Sequence, residues 1–207
     1  MTAMTGPAPG LLAQSLAKGA AGTALAGIEL SLAGDQPWPQ AHAQITAATS
    51  QPVIASPRAG LFYGTPAISF ILHCAQADGI PRYRTAAGTV DAHVRTLAGQ
   101  RLHAAAQRMR SGQPADFAEY DLFYGLTGIA ALLLHHSPRE PLLGRILDYL
   151  VRLTLPRPDG LPGWWAGHDP DPALPTPGGH ANLGMAHGIA VISCVKSLTQ
   201  VGDEFFV

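Results

Sequence analysis

Few residues in this chain can act as nucleophiles, proton carriers or soft metal ligands: two cysteines, Cys74 and Cys194, and 9 histidines. His180, His187 and Cys194 fall at intervals of seven. A zinc site needs at least three converging ligands, and His180 belongs to the loop before the helix, so the interval does not define a metal face. His135 and His136 close an apolar run, where a protonated imidazole complements the helix dipole. Asp121 stands just before that same apolar run, and its default reading is an N-cap or first-turn carboxylate, compatible with a chemical role. A lone histidine on an apolar helix, as His187 is, reads by default as a satisfied core or surface side chain. A glycosidase would need two carboxylates roughly 5–10 Å apart. Asp121 alone among the 14 acidic residues adjoins the start of an apolar helix, which ranks that chemistry last.

These residues need elements to hold them. The chain has 207 residues, 47% apolar and 13% charged, with 23 Gly and 18 Pro. Such a composition excludes a coiled coil, a collagen and a charged disordered chain. A net charge of −1 offers no field for a phosphate backbone, so no nucleic-acid partner is expected. With two cysteines there is no disulfide framework. The first charge is Lys18, so the opening segment lacks the positive n-region of a secretory signal. The uncharged run Ala59–Ala77 is interrupted by Gly60, Gly64, Pro66, His73 and Gln76. It reads as a buried helix and not a membrane span, and a soluble, cytoplasmic protein is expected.

The strongest signal is internal repetition. Leu61-Phe62-Tyr63-Gly64 recurs as Leu122-Phe123-Tyr124-Gly125, and Gly128-Ile129-Ala130 recurs as Gly188-Ile189-Ala190, with offsets of 61 and 60. A fainter copy opens at Gly19-Ala20-Ala21-Gly22. Each copy leads into an apolar run: Leu25–Leu32, Ile68–Leu72, Ile129–Leu134 and Ile189–Val195. Between them, Val90, Val94, Leu97, Ala98, Leu102, Ala105 and Met109 fall at helical spacing, with Arg95, Gln100, Arg101, Arg108 and Arg110 on other faces. Leu142, Leu143, Ile146, Leu147, Leu150 and Val151 repeat the pattern, and Ser137-Pro138-Arg139-Glu140 before them resembles a capping box.

No run alternates with a strand period. The expectation is an all-α fold in which apolar helices form an inner layer and amphipathic ones an outer layer, hairpin after hairpin. Residues 34–60, with Pro37, Pro39, Pro52 and Pro57, read as a loop. Residues 156–180 hold seven Pro and five Gly, and Trp164 and Trp165 argue that this loop is ordered and packed.

The string Tyr120-Asp121-Leu122 running into Gly125-Leu126-Thr127-Gly128-Ile129, followed by Asn182-Leu183-Gly184-Met185-Ala186-His187-Gly188-Ile189, resembles the lanthionine synthetase C (LanC-like) cyclase family. The likeness runs from about Gly19 to Ala190. It implies an α,α-toroid of helical hairpins around a zinc ion. The implied reaction adds cysteine thiols to dehydroalanine or dehydrobutyrine residues of a precursor peptide, closing thioether rings. A dehydratase is the implied partner. By the same resemblance His187 is the proton-transfer candidate, an imidazole titrating near neutrality, and Asp121 the carboxylate that orients it. As each lies by an inner-helix N-terminus, both side chains are expected at one end of the helix array.

The chain also departs from the family. The family's zinc ligands come from Trp-Cys and Cys-His-Gly motifs that these 207 residues do not contain, and Cys74 and Cys194 match neither. The expectations are a LanC-like domain over residues 1–190 holding four inner helices, and a divergent tail over 191–207. The toroid is expected to be incomplete, with an uncovered apolar face, no zinc bound and no ring closure by the chain alone. The alternative from another class is a non-catalytic peptide-binding or scaffold protein on the same fold.

Overall fold

The computed structural model describes residues 13–169, 171, 173, 175–190 and 192. Among them the helices are α1 (Ala20–Ala33), α2 (Trp38–Ala48), α3 (Thr65–Cys74), α4 (Arg84–Arg110), α5 (Phe117–Tyr120), α6 (Leu126–His136) and α7 (Pro141–Leu153). Two short strands, β1 (Trp165–Ala166) and β2 (His180–Ala181), pair antiparallel, with Trp165 opposite Ala181 and Ala166 opposite His180. The chain divides into two compact units, residues 1–97 and 98–207. No described helix is long and apolar enough to cross a membrane.

The first unit packs α1, α2 and α3 around Ala21, Ala24, Ile28, Ala41, Ile45, Ile68, Ile71 and Leu72. Helix α3 is buried on nearly every side, as its apolar sequence demands: Thr65, Pro66, Ala67, Ile68, Ser69, Ile71, Leu72 and Cys74 are all enclosed. Helix α1, expected to be enclosed like the other apolar runs, buries Ala21, Ala24, Gly27 and Ile28 while Leu30 is 46% exposed.

Helix α2 corrects the reading of residues 34–60 as a loop. Pro37 is the N-cap and Pro39 lies in the first turn. There the missing N–H has no helical partner to lose, and the ring presets a helical φ. The two prolines therefore start a helix and do not prevent one.

In the second unit, α6 buries Leu126, Thr127, Gly128, Ile129, Ala130, Leu132 and Leu133. Helix α7 is amphipathic and buries Leu142, Leu143, Ile146, Tyr149, Leu150 and Leu153, each worth about 1.5–3 kcal/mol when fully enclosed. Val151, expected on that stripe, is 38% exposed, and Tyr149 takes the buried place. The capping box does not form. Ser137 caps the C-terminus of α6, the Glu140 N–H donates to the Ser137 carbonyl at 2.9 Å, and α7 begins at Pro141 with Glu140 as N-cap. Proline at the first helical position displaced the start beyond the serine.

Residues 189, 190 and 192 are helical. The remainder of the expected fourth apolar helix, with Cys194 and the tail, lies outside the described residues.

Candidate active site

The site is built on α5, a single turn clamped from several sides. Asp116 caps it, its carboxylate accepting the Ala118 N–H at 2.8 Å. Glu119 receives Arg108 of α4 in a fork, Nη2 at 2.6 Å and Nε at 2.7 Å, and accepts the Tyr149 hydroxyl of α7 at 2.6 Å. Bidentate guanidinium–carboxylate pairs fix orientation as well as distance. The Tyr120 ring is fully buried, its hydroxyl donates to the Trp164 carbonyl at 3.2 Å, and its own carbonyl accepts the Thr127 hydroxyl. Burial raises the Tyr120 phenol, and neighbouring carboxylates add to the shift, so it stays a hydrogen-bond donor. In the Pro/Gly loop Trp165 Nε1 donates to the Gly178 carbonyl at 3.1 Å and the Trp165 carbonyl accepts the Ala115 N–H at 3.2 Å.

Immediately after α5 the chain turns through Asp121–Gly125 into α6. The Asp121 side chain is 1% exposed. Its Oδ1 accepts the N–H groups of Tyr124 at 2.7 Å and Gly125 at 2.8 Å. The carboxylate thus closes the turn before α6, whose N-cap is Gly125 and not Asp121. A Cβ at residue 125 would stand 2.2 Å from the Asp121 nitrogen, so this close approach of backbone to backbone requires glycine. Arg101 of α4 donates to the Tyr124 carbonyl, holding the same turn from its other face.

The second carboxylate oxygen faces His187. Asp121 Oδ2 and His187 Nδ1 are 2.7 Å apart, so the two residues predicted from sequence are in direct contact. The peptide groups beside them are joined as well, the Leu122 N–H donating to the Ala186 carbonyl at 3.0 Å. Asn182 organises the turn that carries His187: its Oδ1 accepts the Gly184 N–H at 2.7 Å and its carbonyl accepts the Ile189 N–H at 3.0 Å. A Cβ at residue 188 would lie 2.4 Å from the Gly184 nitrogen, which keeps that position glycine.

The imidazole stacks with Phe117 and with Phe123, at ring-centroid distances of 6.0 and 5.1 Å and interplanar angles of 25°. Phe117 is itself held by His168, whose Nε2 accepts the Phe117 N–H at 3.2 Å and whose Nδ1 faces the Asp169 carbonyl at 3.0 Å. These partners place the His168 proton on Nδ1.

The electrostatics of the pair follow from its burial. Desolvation pushes the Asp121 carboxyl up from its ordinary value, while the Tyr124 N–H, the His187 ring and the Gly125 N–H pull it back in part. Desolvation likewise lowers the Arg101 guanidinium to about 10, with the Asp121 charge opposing the shift. An ionised carboxylate only accepts. Nδ1 of His187 must therefore carry the hydrogen, and Nε2 presents its lone pair. The His187 side chain is 43% exposed, against 1% for Asp121, so a reactant can reach the outer edge of the ring.

Arg101, His168, Phe117 and Phe123 were not legible as site residues. Arg101 reads as one of several cations on the polar face of an amphipathic helix, and His168 as part of a proline-rich loop.

Zinc does not fit the described residues of this site. Asp121, His168, His180 and His187 do not bring three ligand atoms within 4.8 Å of one another. Cys74, on α3 in the other unit, is buried, and burial pushes its thiol up to about 11, away from the thiolate a metal requires. Cys194 lies outside the described residues.

Comparison with known proteins gives a structural likeness and a family. No curated protein matches the sequence. Nisin cyclase matches with a TM-score of 0.67 at 17% identity, over 92% of this chain and 48% of that one. At that identity the likeness shows the fold, the all-α architecture of helical hairpins, and the chain spans about half the length of that protein. The family model for lanthionine synthetase C-like protein matches residues 10–202, nearly the whole chain, and the protein belongs to that family.

Proposed function

We propose that Asp121 and His187 form the proton-transfer centre of a thioether-forming peptide cyclase, acting on a precursor peptide in which a dehydratase has converted Ser or Thr to dehydroamino acids. The observation that carries this reading is the 2.7 Å contact that fixes the His187 tautomer and leaves Nε2 at an accessible edge. Nε2 takes the proton of a cysteine thiol as its sulfur attacks the β-carbon of dehydroalanine. The carbon–carbon double bond gives its electrons to the carbonyl, leaving an enolate. The imidazolium, held by the Asp121 carboxylate, then returns its proton to the α-carbon. A C–S bond and a C–H bond form, the S–H bond and the π bond are lost, and the enzyme ends as it began. Leu183 and Met185, in the turn that carries His187, are 69% and 56% exposed, apolar side chains suited to a peptide.

Zinc, in the family chemistry, would supply thiolate, and no step here passes through it. The second reading, a peptide-binding protein that does not close rings, is favoured by the same mismatch between the residues of this site and a zinc ligand set.

The test incubates the purified chain with a synthetic peptide carrying one cysteine and one dehydroalanine, near pH 8.5 where a free thiol is about half ionised. Loss of alkylatable thiol is followed by mass spectrometry. Ring closure faster than the uncatalysed background supports the cyclase. Saturable binding of the peptide at the background rate supports the binding protein.

A further inference from the structure

The C-terminal half of α4 and helix α7, both in the second unit, enclose a groove of about 520 Å³ whose lining includes neither Asp121 nor His187. Leu102, Ala106 and Met109 supply its apolar lining, Arg110, Arg145 and Arg152 its cations, and Asp148 its one acid. A second hollow of about 300 Å³ shares Met109 and Arg152 with it and continues past the end of α7 to Leu155. Leu155 is 56% exposed and Val151, on α7, is 38% exposed.

The arginines around these hollows divide into two kinds. Arg108 is committed to Glu119, and Arg157 to Asp159 and the Gly112 carbonyl. Arg110, Arg145 and Arg152 make no ion pair or hydrogen bond among the described residues. The free cations are all arginine, whose planar fork pairs carboxylates bidentately and is less strongly hydrated than an ammonium. Arg145 and Arg152 are seven residues apart on α7, two turns or about 10.5 Å of rise. That span matches carboxylates at positions i and i+7 of a facing helix, and an apolar residue between them would meet Met109, while one past the second carboxylate would meet Leu155.

We propose that this groove docks an acidic, amphipathic helical segment of a partner peptide, with carboxylates two turns apart on Arg145 and Arg152 and an apolar ridge along Met109 and Leu155. The inference is independent of the proposed ring chemistry. Helices laid into grooves of this kind are anchored by a few apolar side chains and oriented by charge.

The test is fluorescence anisotropy with the full chain and a labelled helical peptide carrying Glu at i and i+7 and Leu at i+3 and i+4. Saturable binding is expected that weakens with added salt. The Glu-to-Gln version of the peptide should bind about tenfold more weakly or worse. The R145E/R152E variant, changed at two exposed positions and checked by circular dichroism, should lose affinity similarly. Equal binding of the Gln peptide would overturn the proposal, as it does not depend on the folding of any variant. Absence of saturable binding would also overturn it. So would stronger binding to phosphatidylglycerol vesicles than to the peptide, which would assign the cations to a lipid surface.

Discussion

Each unit of the molecule holds a histidine–aspartate pair, and the two are built differently. In the first unit His73 Nε2 and Asp91 Oδ2 are 3.0 Å apart, and the other Asp91 oxygen accepts the Ser69 hydroxyl at 2.7 Å. All three residues sit on regular helices, α3 and α4, with the two ring-bearing and acidic side chains 22% and 12% exposed. In the second unit the corresponding figures are 43% and 1%. There Asp121 is fixed by backbone N–H groups of a turn, which cannot rotate away as a hydroxyl can, and the imidazole stacks with two aromatic rings while 43% exposed. The first arrangement ties two helices together through side chains. The second grips the carboxylate completely and leaves the histidine more exposed, as the proposed proton transfer demands.

The contrast can be broken by exchanging the histidines. His187→Asn should lower the rate of thioether formation by about 10²–10⁴-fold, the usual contribution of a positioned general acid–base. His73→Asn should leave that rate unchanged while lowering the melting temperature, since it removes a partner from the partly buried Asp91. Mass-spectrometric ring-closure kinetics and thermal denaturation of both variants decide the matter.

Asp121→Asn sharpens the comparison. The amide oxygen can still accept the two turn N–H groups, but its NH₂ would donate to His187 Nδ1 and force the proton onto Nε2. Activity should fall by about 10²-fold or more, the penalty of a wrong tautomer, with a smaller change in stability. Asp121→Ala, in contrast, strands two N–H groups and should cost about 1–3 kcal/mol for each one left unpaired, read by urea denaturation.

Gly125→Ala tests the turn itself. A methyl group 2.2 Å from the Asp121 nitrogen must displace backbone, and a loss of about 1–3 kcal/mol is expected. Gly144→Ala on α7, where a Cβ meets nothing, should be neutral or slightly stabilising.

The smallest effect is in pH dependence. Burial raises the Asp121 carboxyl above its unfolded value. Between the two values the folded chain binds a proton that the unfolded chain does not, so the contribution of this group to stability grows as pH falls through that window. The contribution is complete below the unfolded value and is lost as pH rises through the folded one. The wild-type minus Asp121→Asn difference in melting temperature should therefore increase toward acid pH in the carboxylate range.

Much of this architecture was legible because it rests on periodicity. Helices α3 and α6 are apolar nearly all round, and no other element fits such a run within a helical chain. Helix α2 was not legible, since two prolines at its start outweighed a weak pattern. The β1–β2 pair is too short to show any alternation. Asp121 and His187, 66 residues apart, were brought together in the reading by their motifs, and neither residue alone carries that signal. The His73–Asp91 pair had no motif at all. It arises where two helices pack, which is a property of the tertiary structure.

The most direct test of the central claim is the stereochemistry of proton delivery. Cyclisation of the dehydroalanine peptide in D₂O, followed by hydrolysis and chiral analysis, reports whether deuterium reaches one face of the α-carbon. A single deuterated lanthionine diastereomer is expected with the wild-type chain and with His73→Asn, and the uncatalysed mixture with His187→Asn. The same single diastereomer from His187→Asn, or the uncatalysed mixture from the wild type, would contradict it.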